Sequence, residues 1–354
     1  MVQRSLKINL EFGNTGKKGQ LDELWKAYKK AIEDFLDRLF AGKDLCEEFL
    51  KSYDSPLSYR YKQCAKRQAF KIFKCWCRKK GRKGDKPSLR NVSIVLDYRF
   101  IELEKSGNSF DFWVKISTLD IGNPVLIPSK SYRYLNAYRK NWSLLKGGRL
   151  IQKDGKWFLL LTFAKEIPQR KNGKTTSIDI GYRKLGMTSE KERIGPHLRD
   201  LINKADRKKQ YSKAYYRAKT EIKHYVQREL KKVIGKNLLR LVLEDLKNLK
   251  SGKHGIWSKG INRKFGFWIY GYAVLRLVEL CEVAGVQWHK VKAAYTSQRC
   301  PAQGCGHIEK GNRSGEEFKC KKCGFAEDAD YVGALNILAL FTGEWVSSQR
   351  ADLC

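Results

Sequence analysis

The stretch SIDIGYRKL, residues 177–185, sets the reading of the second half of the chain. Ile178 and Ile180 give the apolar run of a buried strand, Asp179 stands between them, and Gly181 follows at once. A carboxylate inside such a run is costly unless it is paired or bound to a metal. The alternative is an acid on the solvent face of an edge strand. Downstream, GMTSEK (186–191) turns back into a short second strand. Basic helices follow over about 198–234, with Tyr211, Tyr215, Tyr216 and Tyr225 set among Lys and Arg. LRLVLEDL (239–246) reads as a strand, FGFWIYGYAVLRLVELCEVAG (265–285) as a helix and VQWHKVKAAY (286–295) as a further strand. A cysteine cluster and a last helix, DYVGALNILALF (330–341), complete the series.

Strand, strand, long helix, strand, helix, strand, helix predicts an α/β sheet of the RNase H-like kind. Two further acids share the setting of Asp179. Glu244 follows Leu241-Val242-Leu243, a run that reads as a buried strand. Asp330 opens the final helix, where a carboxylate can cap the helix or face the sheet, and Asp328 competes with it for the functional role. These acids lie far apart in the chain, so only the fold can bring them together. Converged, Asp179, Glu244 and Asp330 would hold two divalent ions about 3.5–4 Å apart, the geometry that activates water and stabilises a leaving oxygen in phosphodiester cleavage. Hard oxygen donors select Mg2+ or Mn2+. The five histidines are isolated from one another, and no Cys/His pair offers a rival chemistry.

Ten cysteines are present, and four have metal-ligand spacing. Cys300 and Cys305 are separated by four residues, Cys320 and Cys323 by two, and a polar, Gly-containing segment joins the pairs. Two such pairs predict one structural Zn2+ in a tetrahedral four-cysteine ribbon, closed because all four positions are thiols. His307 is the alternative ligand. The other cysteines are scattered, which suits a reduced intracellular protein and not a disulfide framework.

The first half reads differently. VQRSLKINLEF (2–12) alternates like a strand. LDELWKAYKKAIEDFLDRLF (21–40) repeats Leu24, Ala27, Ala31, Phe35 and Leu39 at helical spacing. A second helix is expected over 59–80, with Phe70, Phe73 and Cys77 on one face and Lys66, Arg67, Lys71, Lys74 and Arg78 over much of the rest. Lys79–Lys86 reads as a basic linker before Pro87. Strands return over 91–165: NVSIVLDYRFIELE and FDFWVKIST flank Ser106-Gly107-Asn108, and RLIQ and KWFLLLTFA flank Asp154-Gly155. Both spacers are hairpin signals. These strands, with the first, predict a small β-barrel or sandwich that receives the helices as an insertion. Residues 166–176 read as a polar linker.

Lys+Arg number 72 against 37 Asp+Glu, a formal net charge of +35. Self-repulsion on that scale favours a polyanionic partner, and the basic residues run through the whole chain as a long nucleic acid would require. Tyr211, Tyr215 and Tyr216 are candidates to stack on unpaired bases, while Lys66, Arg67, Lys71, Lys74 and Arg78 follow phosphates. No apolar run approaches the ~20 residues of a membrane-spanning helix, and MVQRSLKINLEFG lacks the apolar core of a signal peptide. A cytoplasmic location is expected, nucleoid-associated in a prokaryote or nuclear in a eukaryote, with no membrane partner and no small-molecule substrate.

Taken together, these residues resemble the RuvC half of the TnpB family of transposon-encoded RNA-guided nucleases, relatives of the compact type V CRISPR effectors. Ile178-Asp179-Ile180-Gly181 is similar to the family's first motif, Glu244-Asp245-Leu246 to its second, and Asp330-Tyr331-Val332-Gly333-Ala334-Leu335-Asn336-Ile337 to its third. Tyr295-Thr296-Ser297-Gln298, before Cys300, also looks like the family's. The likeness favours Asp330 over Asp328. It departs at Val332 and Gly333, which stand for Asn and Ala, in the wider first cysteine pair, and in a short tail after Asn336. The resemblance implies a RuvC-like nuclease domain over 171–298 and 327–354, a zinc ribbon over 299–326, a β-barrel wedge domain over 1–18 and 88–170, and a helical recognition insertion over 19–87. It further implies a guide RNA, target double-stranded DNA, recognition of a short adjacent motif, and cutting of both strands at one site. Sequence would be read by base pairing and backbone shape by the protein. A guided DNA-binding protein that does not cut, and a DDE-type transposase without a guide, are the alternatives.

Overall fold

The computed structural model describes residues 1–78, 86–107, 109–235, 237–246, 270–292 and 294–344. Most of the basic linker expected over Lys79–Lys86, Asn108 of the first hairpin, residues 265–269 of an expected helix and the tail beyond Glu344 lie outside the described residues. The chain divides into two compact units, Met1–Glu166 and Ile167–Cys354.

The first unit starts with β1 (Val2–Asn9), runs through α1 (Thr15–Phe40), α2 (Glu47–Ser52) and α3 (Tyr59–Cys77), and returns to strands with β2 (Ile94–Leu96). Asn14 caps α1 by accepting from the Lys17 amide at 2.9 Å. Leu24, Tyr28, Ala31 and Phe35 of α1 and Tyr61, Cys64, Ala65 and Ala69 of α3 are buried with Ile8, Leu159, Leu161 and Phe163 in one core. The face expected on α3 is shifted: Phe70 and Phe73 are half-buried and Cys77 is exposed, because the smaller Cys64, Ala65 and Ala69 allow the close helix contact.

β3 (Ile101–Lys105), β4 (Phe112–Ile116) and β5 (Val125–Ser129) form a three-stranded antiparallel sheet. α4 (Arg133–Asn141) leads into β6 (Ser143–Lys153) and β7 (Lys156–Lys165), which join the sheet β1-β7-β6-β2. At the tip of the β6–β7 hairpin Asp154 and Gly155 take φ 51° and 72°, the twist a two-residue turn needs. The single strand expected over NVSIVLDYRFIELE is broken. Asp97 accepts from the Arg99 amide at 3.2 Å and caps one 3₁₀ turn, so β2 joins one sheet and β3 the other. β5 and α4 carried no sequence expectation.

The second unit is built on the five-stranded sheet β10-β9-β8-β11-β12. Its strands are β8 (Lys174–Asp179), β9 (Gly186–Thr188), β10 (Arg193–Ile194), β11 (Leu238–Asp245) and β12 (Gln287–Lys292). β8, β9 and β10 run antiparallel in succession, while β11 is parallel to both β8 and β12. The α/β sheet expected from the order of elements is thus present. α5 (Leu198–Asp206), α6 (Lys213–Val233) and α7 (Tyr270–Ala284) bury Ile202, Val226, Leu230 and Leu277 with Ile178, Leu241 and Leu243 of the sheet. α8 (Ala329–Thr342) packs against β8, β9 and β11. Strand alternation sends Ser177 to the α8 side, where its hydroxyl donates to the Ala334 carbonyl at 2.5 Å. Among the described residues no helix is long and apolar enough to cross a membrane.

Candidate active site and metal centre

Asp179 is the last residue of β8, and Ile178 is in register with Leu243 on the parallel neighbour β11. The next residues along, Asp179 and Glu244, therefore leave adjacent strands side by side, on the face away from Ile178 and Leu243. Asp330 stands in the first turn of α8. α8 can approach because residue 333 is glycine: a Cβ there would overlap the Asp179 carboxylate. Burial, followed by the charges of Glu244 and Asp330, pushes the Asp179 carboxyl up to about 8. Arg313 and Lys184 oppose that shift. The three acids picked out from the sequence thus share one electrostatic site.

Each neighbour is held in turn. Thr296 donates its hydroxyl to Glu244 Oε1 at 2.6 Å, and the Tyr270 hydroxyl donates to the Glu244 carbonyl at 2.6 Å. Burial raises the Glu244 carboxyl, against the Thr296 bond and the Arg313 charge. Arg313 of the short strand β13 (Arg313–Ser314) donates to Asp330 Oδ1 at 2.7 Å. Lys184, buried in the turn after β8, lies 3.2 Å from Asp330 Oδ2 and donates to Asp328 at 2.7 and 3.1 Å. Asp328 takes the capping role expected at Asp330, accepting from the Asp330 and Tyr331 amides at 2.9 and 3.1 Å. Burial works against the Asp328 carboxylate, but Lys184 and these amides keep it below the ordinary range.

The hard oxygens, their burial and their mutual repulsion fit a divalent cation, which would relieve the charge that burial makes costly. Their atoms are more dispersed than those of the cysteine cluster. Among the described residues, the group of three or more His, Cys, Asp or Glu whose ligand atoms all lie within 4.8 Å of one another is Cys300, Cys305, Cys320 and Cys323.

In that cluster Cys300 and Cys323 sulfurs are 3.6 Å apart, and Cys305 and Cys320 sulfurs 3.7 Å. A tetrahedral thiolate site with metal–sulfur bonds near 2.3 Å has edges of about 3.8 Å. Tight turns aim the sulfurs: the Cys305 amide donates to the Ala302 carbonyl at 3.0 Å, and the Gly324 amide to the Cys320 carbonyl at 2.9 Å. Burial opposes the Cys320 thiolate, but the amides of Cys323 and Lys322 bring that thiol down to about 7. His307, the alternative ligand, is instead 3.1 Å from Glu309 Oε2. Strands β14 (Glu317–Lys319) and β15 (Ala326–Asp328) complete the small sheet with β13 and lead straight into α8.

The expected nucleic-acid contacts divide. Arg67, Lys71 and Lys74 of α3 and Arg78 at its C-cap are exposed, and Lys66 is half-buried. Arg67 and Lys71 border a cavity of about 740 Å³ with Trp76, Tyr98, Lys146 and Arg149. Tyr211 and Tyr216 are 72% and 54% exposed. Tyr215 corrects the expectation: it is buried on α6 in the core of the second unit, with its ring beside those of Tyr211 and Tyr216, so it is not available to stack on a base.

Lys184, Arg313, Thr296 and Asn336 were not singled out as site residues. Asn336 donates to the Thr296 and Arg299 carbonyls, both at 2.8 Å, and so ties α8 to the loop that holds Glu244. Thr296 and Asn336 lie inside the family-like stretches and could have been found there. Lys184 and Arg313 pair across elements that sequence spacing does not relate.

Residues 270–337 match the family model for the TNB domain of Cas12f1-like proteins. The chain is 31% identical over 258 residues to the putative RNA-guided DNA endonuclease InsQ of Escherichia coli, a match covering 62% of this chain and 63% of that one. It is 37% identical over 99 residues to a TnpB-like protein of Aquifex aeolicus, covering 27% and 31% of the two chains. Among solved structures, a Cas12f1–sgRNA–target DNA complex superposes with a TM-score of 0.52 at 15% identity, covering 91% of this chain and 81% of that one. The chain spans less than two thirds of the length of either relative. The likeness to TnpB-type and compact type V proteins read from the motifs is shown by these comparisons, and the fold likeness extends through both units.

Proposed function

We propose that this chain is an RNA-guided DNA endonuclease. Its second unit would be an RNase H-like, RuvC-type domain, with Asp179, Glu244 and Asp330 as the metal-binding acids. The observation that carries this reading is that Glu244 and Asp330 lie within electrostatic reach of buried Asp179 at one end of the sheet, where burial first and then those two charges push the Asp179 carboxyl up to about 8. The sheet order, three antiparallel strands followed by two parallel ones, supports the RNase H-like assignment. Bound Mg2+ or Mn2+, two ions in this reading, would activate water and stabilise the leaving oxygen of a phosphodiester.

The chain's own groups prepare that site. Asp179 and Glu244 offer oxygens from neighbouring strands and Asp330 from a helix terminus. Thr296 fixes Glu244, while Arg313 and Lys184 orient Asp330. Cys300, Cys305, Cys320 and Cys323 would hold one structural Zn2+, keeping β13 and its Arg313 beside Asp330. The first unit would supply the β-barrel wedge and the helical recognition insertion. Exposed cations of α3 and the cavity edged by Arg67, Lys71, Lys146 and Arg149 suit a nucleic-acid backbone. Guide RNA and target double-stranded DNA are the partners, with base pairing reading the sequence.

A guided DNA-binding protein that does not cut is the second reading. Its support is that both Asp330 oxygens are engaged by cationic side chains. One experiment separates the two. RNA co-purifying with the expressed chain is sequenced, and DNA matching it is offered with Mg2+. We expect cleavage that falls roughly 10³-fold or more in Asp179→Ala while RNA binding survives. Undiminished cleavage by that variant overturns the site, and guided binding by the unmutated protein without cleavage establishes the second reading.

A further inference from the structure

Tyr295 directly precedes Thr296, whose hydroxyl holds Glu244 of the acid cluster. It is one of four described non-glycine residues with positive φ, at 61°, and the residue is 48% exposed. The αL region disfavours residues with a Cβ, and bulky ones most, so its use here needs a cause. Two of the others, Asp154 and Lys191, turn hairpins, and Tyr211 precedes the cap of α6. Tyr295 opens the segment that leads into the cysteine cluster, and that segment is pinned on every side. Its carbonyl accepts from the Gln298 and Arg299 amides at 3.0 and 3.1 Å. The next residue, Thr296, donates to Glu244. Buried Asn336 holds the Thr296 and Arg299 carbonyls from behind. Among the described residues the Tyr295 ring and hydroxyl have no partner of their own.

A turn held by hydrogen bonds thus keeps a half-exposed tyrosine in the αL region one residue from Thr296, which fixes Glu244. We propose that Tyr295 is a stacking platform for an unpaired nucleobase of the DNA strand entering the acid site, and so a substrate-positioning residue. The ring supplies a flat apolar face, every base has a matching one, and the site needs a single strand held still while its phosphate meets the acids. This rests on the nuclease reading for the meaning of the site, but the binding it asserts can be measured without any cleavage.

The test uses the full chain and a single-stranded DNA oligonucleotide carrying 2-aminopurine, in Mg2+-free buffer. Tyr295→Phe keeps the ring, Tyr295→Leu removes its aromatic face, and Tyr295→Asn removes it while tolerating αL, which guards against a variant that fails to fold. We expect Phe to quench 2-aminopurine fluorescence and bind as the unmutated chain does. Leu and Asn should lose part of the quenching and bind roughly tenfold more weakly. Other exposed tyrosines contribute equally in every variant, so the difference between Phe and Leu reports Tyr295 alone. In a Mg2+ cleavage assay Leu and Asn should slow cutting about tenfold, with Phe restoring it. Equal quenching and affinity across the series overturns the proposal. Cleavage that persists in Asp179→Ala overturns the nuclease reading instead, and leaves the quenching result to decide on Tyr295.

Discussion

The cysteine cluster and the acid cluster are both ligand sets brought to a point, and they are built in opposite ways. The four sulfurs come from two short turns joined by a small sheet, and at Cys320 backbone amides favour the thiolate form. The three acids come from two strands and a helix far apart in the chain, and side-chain cations stabilise them. A closed local site can be complete once its own turns fold. The acid site exists only when β8, β11 and α8 have assembled. The two are also linked, since β13 of the ribbon carries Arg313 to Asp330, and β15 runs into the helix on which Asp330 stands.

That link gives the larger of the remaining effects. If the cysteine cluster holds zinc as proposed and is scaffolding for the acids, Cys320→Ser should lower the zinc content and cost cleavage roughly 10²-fold. Zinc content by mass spectrometry and cleavage of matched DNA would be measured together. A variant that has lost its zinc and still cuts at full rate would show the two clusters to be independent, and the comparison would lose its point.

The same contrast explains what was legible in the sequence. Cys300, Cys305, Cys320 and Cys323 could be paired from spacing alone, because a ribbon's ligands are separated by the lengths of its turns. Asp179 and Glu244 were legible as acids in apolar runs, and the likeness to known motifs selected Asp330. Their cations were not legible, since Lys184 and Arg313 meet Asp330 through tertiary packing, and a Lys or Arg in a chain of such high charge carries no local signal. Strands bounded by turn signals were found, as at Asp154-Gly155. The break at Asp97 was missed because one side-chain cap outweighed an otherwise continuous strand pattern. Tyr215 misled for a related reason: Tyr215 and Tyr216 are neighbours on α6 and face different ways around it, so the first is core and the second surface, while Tyr211 lies before the helix cap and is exposed.

Gly333 probes how tightly the acid cluster depends on assembly, and its effect should be smaller. Alanine at this position is favoured by helix propensity by about 1 kcal/mol. Its Cβ would meet the Asp179 carboxylate, and overpacking of that kind costs about 1–3 kcal/mol. We expect Gly333→Ala to change stability by no more than about 1–2 kcal/mol in net terms while slowing cleavage roughly tenfold, through displacement of Asp179. Denaturant unfolding and Mg2+-dependent cleavage measured on the same preparation would test this. Full activity would mean that α8 shifts without disturbing the carboxylate, and that the site is less dependent on close approach than the cysteine turns are.

The smallest effect is one of pH, and it has opposite signs for Asp179 and for Cys320. Asp179 is raised by burial and by Glu244 and Asp330, so its folded value of about 8 lies above the unfolded value near 4. A group raised in this way contributes stability that is fully present below the unfolded value and is lost as pH climbs through the folded one. In Mg2+-free buffer the melting temperature should therefore decline between about pH 5 and pH 9. The decline should be shallower in Asp179→Asn, which has no proton to lose, and shallower again when Mg2+ compensates the charge. Cys320, lowered to about 7, contributes the other way, with stability present at high pH and lost as pH falls through that value. An identical slope in the unmutated chain and in Asp179→Asn would show that the carboxylate is already ionised at low pH in the folded protein. The repulsion among the three acids would then be screened, and the cations around Asp330 would be doing for this cluster what the amides of Lys322 and Cys323 do for Cys320.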